Sequence, residues 1–338
     1  MKRGESGLSF CLGIDKPCGI SSHDVVSRVR RIFGERRVGH AGTLDPLASG
    51  VLIVCVGPAT RLDKYLVGHD KTYVVDVAFG AATETDDEEG AVTEKLPVPP
   101  HVFDNDFASN YAQTLTGKIM QVPPVYSALK KGGKKACDEA RRGNTVQLEP
   151  REVEIYSVVF QELLMPNADC EYVRWRLEVS VSKGTYLRSF ARDLGKALGT
   201  VAHVSYLRRV QSGCLPISHC VKLEELDLLS PAGIIDPLPL LGYRFAFVED
   251  TVLARVQNGN ALRAGDLVLR EQPAQLEHAS DCCFPTYHTS TRPPEQGEYL
   301  ALLSQNTLVA IYQYDSEKKQ WKADCIFKPP VMREKVQA

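Results

Sequence analysis

Residues 172–198 read YVRWRLEVSVSKGTYLRSFARDLGKAL. In the first part Val173, Trp175, Leu177, Val179 and Val181 alternate with charged and hydroxyl residues, the pattern of a strand with one buried face. After Lys183-Gly184 the period lengthens. Leu187, Phe190, Ala191, Leu194 and Leu198 recur at helical spacing, and Gly199 ends the run. Any fold for this chain has to let a half-buried strand turn directly into an amphipathic helix. Lys183 to Arg188 fall on that strand-to-helix turn, where side chains are expected to be presented rather than buried.

A second stretch, RVGHAGTLDPLASGVL at 37–52, carries His40, Asp45 and three glycines, Gly39, Gly42 and Gly50, and then runs into the apolar segment GVLIVCVG. That segment reads as a buried strand bounded by glycines. An Asp-Pro pair such as Asp45-Pro46 most often starts a turn through its carboxylate. The same residues would also serve as a rigid seat for a nucleophilic carboxylate, which needs a neighbouring cation to stay ionised. The spacing alone leaves both readings open. Upstream, Val25, Val26, Val29, Ile32 and Phe33 mark a helix, with Ser21 and Asp24 as a capping box and Gly34 as its stop. Downstream, KTYVVDVAFG puts Tyr73, Val75, Val77 and Phe79 on one side of a further strand. The run ETDDEEG (84–90) reads as a solvated turn between strands and lacks the alternating ligand spacing of a calcium loop. Residues 118–142 form a flexible basic element.

Composition narrows the partners. The 338 residues are 43% hydrophobic, enough for a large domain and a small one, and the formal net charge is -2. Any nucleic acid would therefore be held by local patches rather than a global positive field. The ten cysteines are scattered, without C-x-x-C pairs or histidines at finger spacing, so neither a zinc site nor a redox dithiol is signalled. They read as reduced thiols of a cytoplasmic protein. No run approaches the length of a membrane span. Beyond about residue 245, short strand-like pieces indicate a small β-rich domain interrupted by a mobile insertion at 271–298. The expected division is 1–245, with the basic insertion at 118–146, and 246–332.

Several segments together resemble the TruB family of tRNA pseudouridine synthases. GHAGTLDPLASGVL resembles its catalytic signature and IDKPCGISSHDVV its N-terminal Lys-Pro motif. RLDKYLVGHDKTYVVDVAFGAATETDDEEG resembles its KxY strand, and VPPVYSALKKGGKKACDEARRG its RNA-gripping insertion. SKGTYLRSFARDLG and AHVSYLRRVQSG resemble its Tyr-x-Arg motif and its Leu-Arg-Arg strand. The matches keep the family's order over about residues 10–215, and the C-terminal part resembles a PUA-like RNA-binding module. Cys137 departs from the tyrosine common after the paired lysines.

The fold this implies is α+β: a mixed, mainly antiparallel sheet of the pseudouridine synthase type flanked by helices, with a small β-rich PUA-like domain. The activity implied is isomerisation of uridine 55 in the tRNA T-arm, with base flipping and without cofactor or metal. Carried over position by position, Asp45 is the nucleophile and Arg188 its ion-pair partner. Tyr73 stacks on the flipped uracil, Tyr186 lines the pocket, and Leu207 adds an apolar wall. His40 fills the space the base leaves, and Lys16 supports the pocket. Arg36, Arg37, Lys130, Lys134, Lys135 and Arg141 are the expected RNA contacts. The retained motifs argue against a purely chaperoning RNA-binding protein. Motifs that begin almost at once and the lack of a long basic tail favour a stand-alone monomer, with no obligate protein partner, over the catalytic subunit of a guide-RNA particle.

Overall fold

A computed structural model describes residues 6–127, 129–131, 134–142, 146–168, 170–227, 233–272 and 288–333. The period-two segments form one large mixed sheet. Its central order is Phe10–Lys16, Ser49–Val56, Ala202–Ser212, Lys71–Phe79, Arg174–Val181, Arg151–Leu164 and Gly117–Gln121. Neighbours are antiparallel except for Ala202–Ser212 beside Ser49–Val56. The fold is therefore the expected α+β arrangement with a mainly antiparallel sheet.

The alternation in the sequence is what orients the strands. Val173, Trp175, Leu177, Val179 and Val181 are all buried, as are Tyr73, Val75, Val77 and Phe79 on the adjoining strand. Trp175 is the hub of this layer. Its ring meets Phe79 edge-on at 5.1 Å, and its indole N–H donates to the Val102 carbonyl at 2.8 Å. The helix Ser22–Phe33 starts on the Ser21/Asp24 capping box and stops at Gly34 in a left-handed conformation (φ 60°). The helix Leu187–Ala197 follows its strand as the change of period requires, with Leu187, Phe190, Ala191 and Leu194 buried against the sheet.

Gly50 serves the sheet rather than the loop before it. Its φ is +102°, and a Cβ there would lie 2.1 Å from the Arg209 carbonyl oxygen. The glycine lets two strands of the sheet approach each other; the Arg209 side chain, 1% exposed, then reaches back to the Val51 carbonyl at 2.7 Å and the Gly42 carbonyl at 3.1 Å.

A smaller five-stranded sheet begins at Arg244–Phe247 and includes Tyr299–Ser304, Thr307–Asp315 and Gln320–Met332. One apolar cluster serves both sheets: Cys11, Val51, Ile53 and Leu62 pack with Phe245, Ala301, Leu303 and Phe327. Arg333 pairs with Asp236 at 2.6 Å and Arg61 donates to the Ile326 carbonyl at 2.7 Å, closing the same junction. Of the insertion expected to be mobile, residues 273–287 lie outside the described part. Its flanks are tied down, because Arg244 donates to Ser290 Oγ at 2.8 Å and to the Arg292 carbonyl at 2.7 Å while pairing with Glu298. Among the described residues no helix is long and apolar enough to cross a membrane.

Candidate active site

The loop between Ala41 and Ser49 is held from three sides, and each hold follows from a residue type the sequence supplies. Lys16 ends the strand Phe10–Lys16 with a fully buried side chain. Its ammonium donates to the carbonyls of Pro17 at 2.9 Å, Ile20 at 2.6 Å and Pro46 at 3.3 Å. Three carbonyl acceptors are what a buried ammonium needs to stay charged in a site whose burial lowers its pKa. The Ser22 hydroxyl donates to the Leu44 carbonyl and accepts from the Leu44 N–H, both at 2.9 Å. The Ala48 N–H bonds the Asp45 carbonyl at 3.1 Å, so Asp45 to Ala48 make the turn that Asp-Pro announces. Lys16 thus holds the Asp45 turn through the Pro46 carbonyl.

Asp45 projects from this turn with its side chain about one-third exposed, and Oδ2 lies 3.0 Å from Arg188 Nε. The Nε–H does not point along that line, so the contact is one of charge rather than an aligned hydrogen bond. Arg188 contradicts the expectation that this turn presents its side chains: it is 4% exposed. Its guanidinium is drawn inward by oxygen atoms on two further segments. Nη1 donates to the Thr85 carbonyl at 3.0 Å and Nη2 to the Tyr126 carbonyl at 2.9 Å, while Asp87 Oδ2 lies 3.5 Å from Nη1.

Asp87 overturns the reading of ETDDEEG as a solvated turn. It is 3% exposed, because this loop forms a bridge to the strand Ala202–Ser212, with the Glu88 N–H on the Val204 carbonyl at 2.9 Å. Asp86, beside it, pairs with Arg192 at 3.1 Å. Of the acids that looked like a solvated run, Asp87 is therefore buried and Asp86 half-buried, each against an arginine of one helix. The visible signal was an acid run following a strand by one turn, together with Arg188 and Arg192 at i and i+4.

Burial pushes the Asp45 carboxyl above its ordinary value; Arg188 opposes that push and Asp87 reinforces it. A carboxylate that served here as a nucleophile would work only as the anion, and protonation below this raised value would silence it. The acid limb of kcat should therefore sit above the ordinary aspartate range, activity rising as pH climbs through it. A pH–rate profile on folded protein that stays flat down to the ordinary aspartate range would contradict this placement.

The other candidate residues come from several elements of the fold. Tyr186 is the residue before the helix, and burial raises its phenol pKa, with both Asp45 and Arg188 near enough to act on it electrostatically. Tyr73 and Leu207 are 7% and 5% exposed. They share one apolar cluster with Leu44 and Leu47, which flank Asp45, and with Leu187, between Tyr186 and Arg188. His40 sits on the strand Val38–Ala41 opposite Val54. Its Nδ1 is enclosed without a hydrogen-bond partner among the described residues, and burial, seconded by Arg209, holds the ring pKa down. Arg36 and Arg37 line an open pocket of about 470 Å3 together with Arg30, Thr60 and Asp63. Lys130, Lys134 and Lys135 lie on a two-stranded hairpin and Arg141 on the helix Ala136–Arg141; their side chains fall outside the described part. Lys118 belongs to the sheet rather than to a flexible element, and faces Glu152 at 3.4 Å on the adjoining strand. Among the described residues no cluster of His, Cys, Asp and Glu is arranged to hold a metal ion.

This geometry can be set beside known proteins. The solved structure of an H/ACA RNP bound to a substrate RNA containing 2'-deoxyuridine superposes with a TM-score of 0.63 at 21% identity, covering 94% of this chain and 84% of that one. At that identity it speaks to the fold alone. Closer in sequence are proteins named tRNA pseudouridine synthase B. The one from Bacillus licheniformis is 38% identical over 82% of this chain and 93% of its own length. The one from Pelotomaculum thermopropionicum is 35% identical over 94% and 97%. The model for the N-terminal domain of TruB family pseudouridylate synthases matches residues 30–187, and that for the tRNA pseudouridylate synthase B C-terminal domain matches 188–230. With the Asp45 turn and its arginine inside the first matched stretch and at the start of the second, the chain belongs to the TruB family of pseudouridylate synthases.

Proposed function

We propose that this protein isomerises uridine 55 in the T-arm of tRNA to pseudouridine, with Asp45 as the nucleophile. The observation that carries the reading is the Asp45 carboxylate on a fixed turn, 3.0 Å from a buried guanidinium. The likeness to proteins named tRNA pseudouridine synthase B supplies the class of substrate.

In this reading the uridine leaves its stack, at a cost of about a few kcal/mol, which is repaid by stacking on Tyr73 and by contacts with Tyr186 and Leu207. Asp45 forms a covalent adduct with the nucleotide while the N-glycosidic bond breaks. The uracil then turns and rejoins the sugar through C5 as the bond to Asp45 breaks, the proton on C5 passes to solvent, and N1 takes one up in its place. Atoms balance without oxidant or reductant, so no cofactor enters the scheme. Arg188 keeps Asp45 anionic before attack and after release. A neutral His40 suits a ring that takes the place of an uncharged base in the helix stack. Arg36 and Arg37 hold backbone phosphates, as do the basic residues of the hairpin at 130–135.

The test is release of tritium from C5-labelled uridine in an unmodified T-arm hairpin. Release stoichiometric with the single uridine at position 55 supports the reading. No release, or release from a hairpin lacking that uridine, overturns it.

A further inference from the structure

The chain leaves the large sheet at Gln121 and rejoins it at Arg151, and these two residues are paired directly across the strands Gly117–Gln121 and Arg151–Leu164. Everything between them, including the basic hairpin Lys130–Lys135 and the helix Ala136–Arg141, is one excursion from a single point on the sheet edge. Gln121 is therefore the root of the excursion, and it is 2% exposed.

Its side chain does not serve its own strand. The amide oxygen accepts from the Tyr186 N–H at 2.9 Å, and the amide nitrogen donates to the Tyr186 carbonyl at 3.2 Å. Tyr186 has no side-chain cap of its own at the start of the helix Leu187–Ala197. The Tyr186 N–H is thus satisfied from the root of the excursion, and its carbonyl, which already accepts from the Phe190 N–H at 3.0 Å, takes a second bond from there. The next residues of the excursion continue the same seam. The Val122 carbonyl accepts from Ser189 Oγ at 2.9 Å and from Arg192 Nη2 at 3.0 Å, and the Tyr126 carbonyl accepts from Arg188 Nη2 at 2.9 Å. Five hydrogen bonds join residues 121–126 to residues 186–192, and the arginine in that seam is the one facing Asp45.

We propose that Gln121 is a positioning residue for the isomerisation: it registers Tyr186, and with it Arg188, against the root of the RNA-gripping excursion, so that RNA seated on the excursion sets the wall of the uridine pocket. This rests on the reading that Tyr186 and Arg188 border the flipped uridine. A misplacement of about 1 Å at such a wall is enough to lower the chemical step by as much as about 100-fold. Gln121 touches no reacting atom, so its loss should appear in turnover rather than in RNA affinity.

Three variants separate this from a role in stability. Gln121→Met keeps length and loses both bonds. Gln121→Glu can accept from the Tyr186 N–H and cannot donate to its carbonyl. Gln121→Asn keeps the amide on a shorter arm. On a T-arm hairpin, Gln121→Met should lower kcat by about 10-fold or more, with hairpin Kd within about 2-fold of wild type. Gln121→Glu should fall between the two, and Gln121→Asn should lose turnover in spite of its amide. Rates are referred to the folded fraction measured by thermal unfolding, and amide exchange at Tyr186 is followed alongside. Exchange there should be slowed by hairpin binding in the wild type and not in Gln121→Met. Wild-type kcat in Gln121→Met, or a rise in Kd that matches the whole loss of kcat/KM, overturns the proposal. If the wild type itself releases no tritium, the functional reading fails. The exchange experiment then still reports whether RNA on the excursion reaches Tyr186 through Gln121, and equal protection in both proteins overturns the proposal.

Discussion

Asp45→Asn should abolish C5 tritium release, lowering kcat by about four orders of magnitude or more, while leaving affinity for the T-arm hairpin within about 2-fold. The amide is nearly isosteric with the carboxylate and fits the same turn, because the turn is held through the Leu44, Asp45 and Pro46 backbone and not through the Asp45 side chain. What the variant loses is the negative charge that the proposed attack requires and that Arg188 faces. The measurement is single-turnover tritium release beside a filter-binding titration. Turnover surviving at a tenth of wild type would remove Asp45 from the nucleophile's role. Affinity collapsing together with turnover would instead show that the carboxylate holds the RNA.

The second large effect is expected at Arg188, and there both activity and stability should move. Arg188→Met removes a guanidinium that meets two carboxylates and two carbonyls within a site where it is 4% exposed. Asp87, itself 3% exposed, would be left as a buried carboxylate with its arginine gone. Breaking one side of such a buried pair costs about 3–5 kcal/mol, readable as a shift of the urea midpoint. The same loss leaves Asp45 with burial pushing its carboxyl up and less to oppose it, so the anion becomes scarcer at neutral pH; with the lost charge complementarity, kcat should fall by about 100-fold or more. Arg188→Lys preserves the charge, yet one ammonium on a flexible stem cannot span acceptors on the Asp45 turn, the Thr85–Asp87 loop and the Tyr126 segment at once. It should regain part of the stability and little of the turnover. A fully active Arg188→Met protein would show that the contact with Asp45 is incidental.

Much of this architecture was readable in the sequence because burial and periodicity coincide where one face of an element is covered. Trp175 and Tyr73 lie on strands whose alternation reports directly which side faces the core. The helix Ser22–Phe33 carries its own start and stop signals. What the sequence concealed are contacts between segments far apart in the chain. Asp87 looks solvated until the strand Ala202–Ser212 is laid beside it. The need for glycine at position 50 comes from Arg209, more than 150 residues away along the chain. The turn before the helix reads as a place for presented side chains, and Arg188 is instead drawn inward by carbonyls of two other segments. Gln121 is the clearest case. A glutamine at the end of a strand carries no local signal, and its meaning arises only when a distant helix starts opposite it.

The paired exit and return at Gln121 and Arg151 bear on how such a protein can change over time. Two ends pinned opposite each other on a sheet edge make a fixed socket, and the free energy of closing a flexible segment across it grows only by about 0.6 kcal/mol for each doubling of length. Residues can be gained or lost beyond the socket without shifting the register of Arg174–Val181 or Lys71–Phe79. The excursion can thus vary while the Asp45 turn stays unaltered, provided the seam at 121–126 is kept.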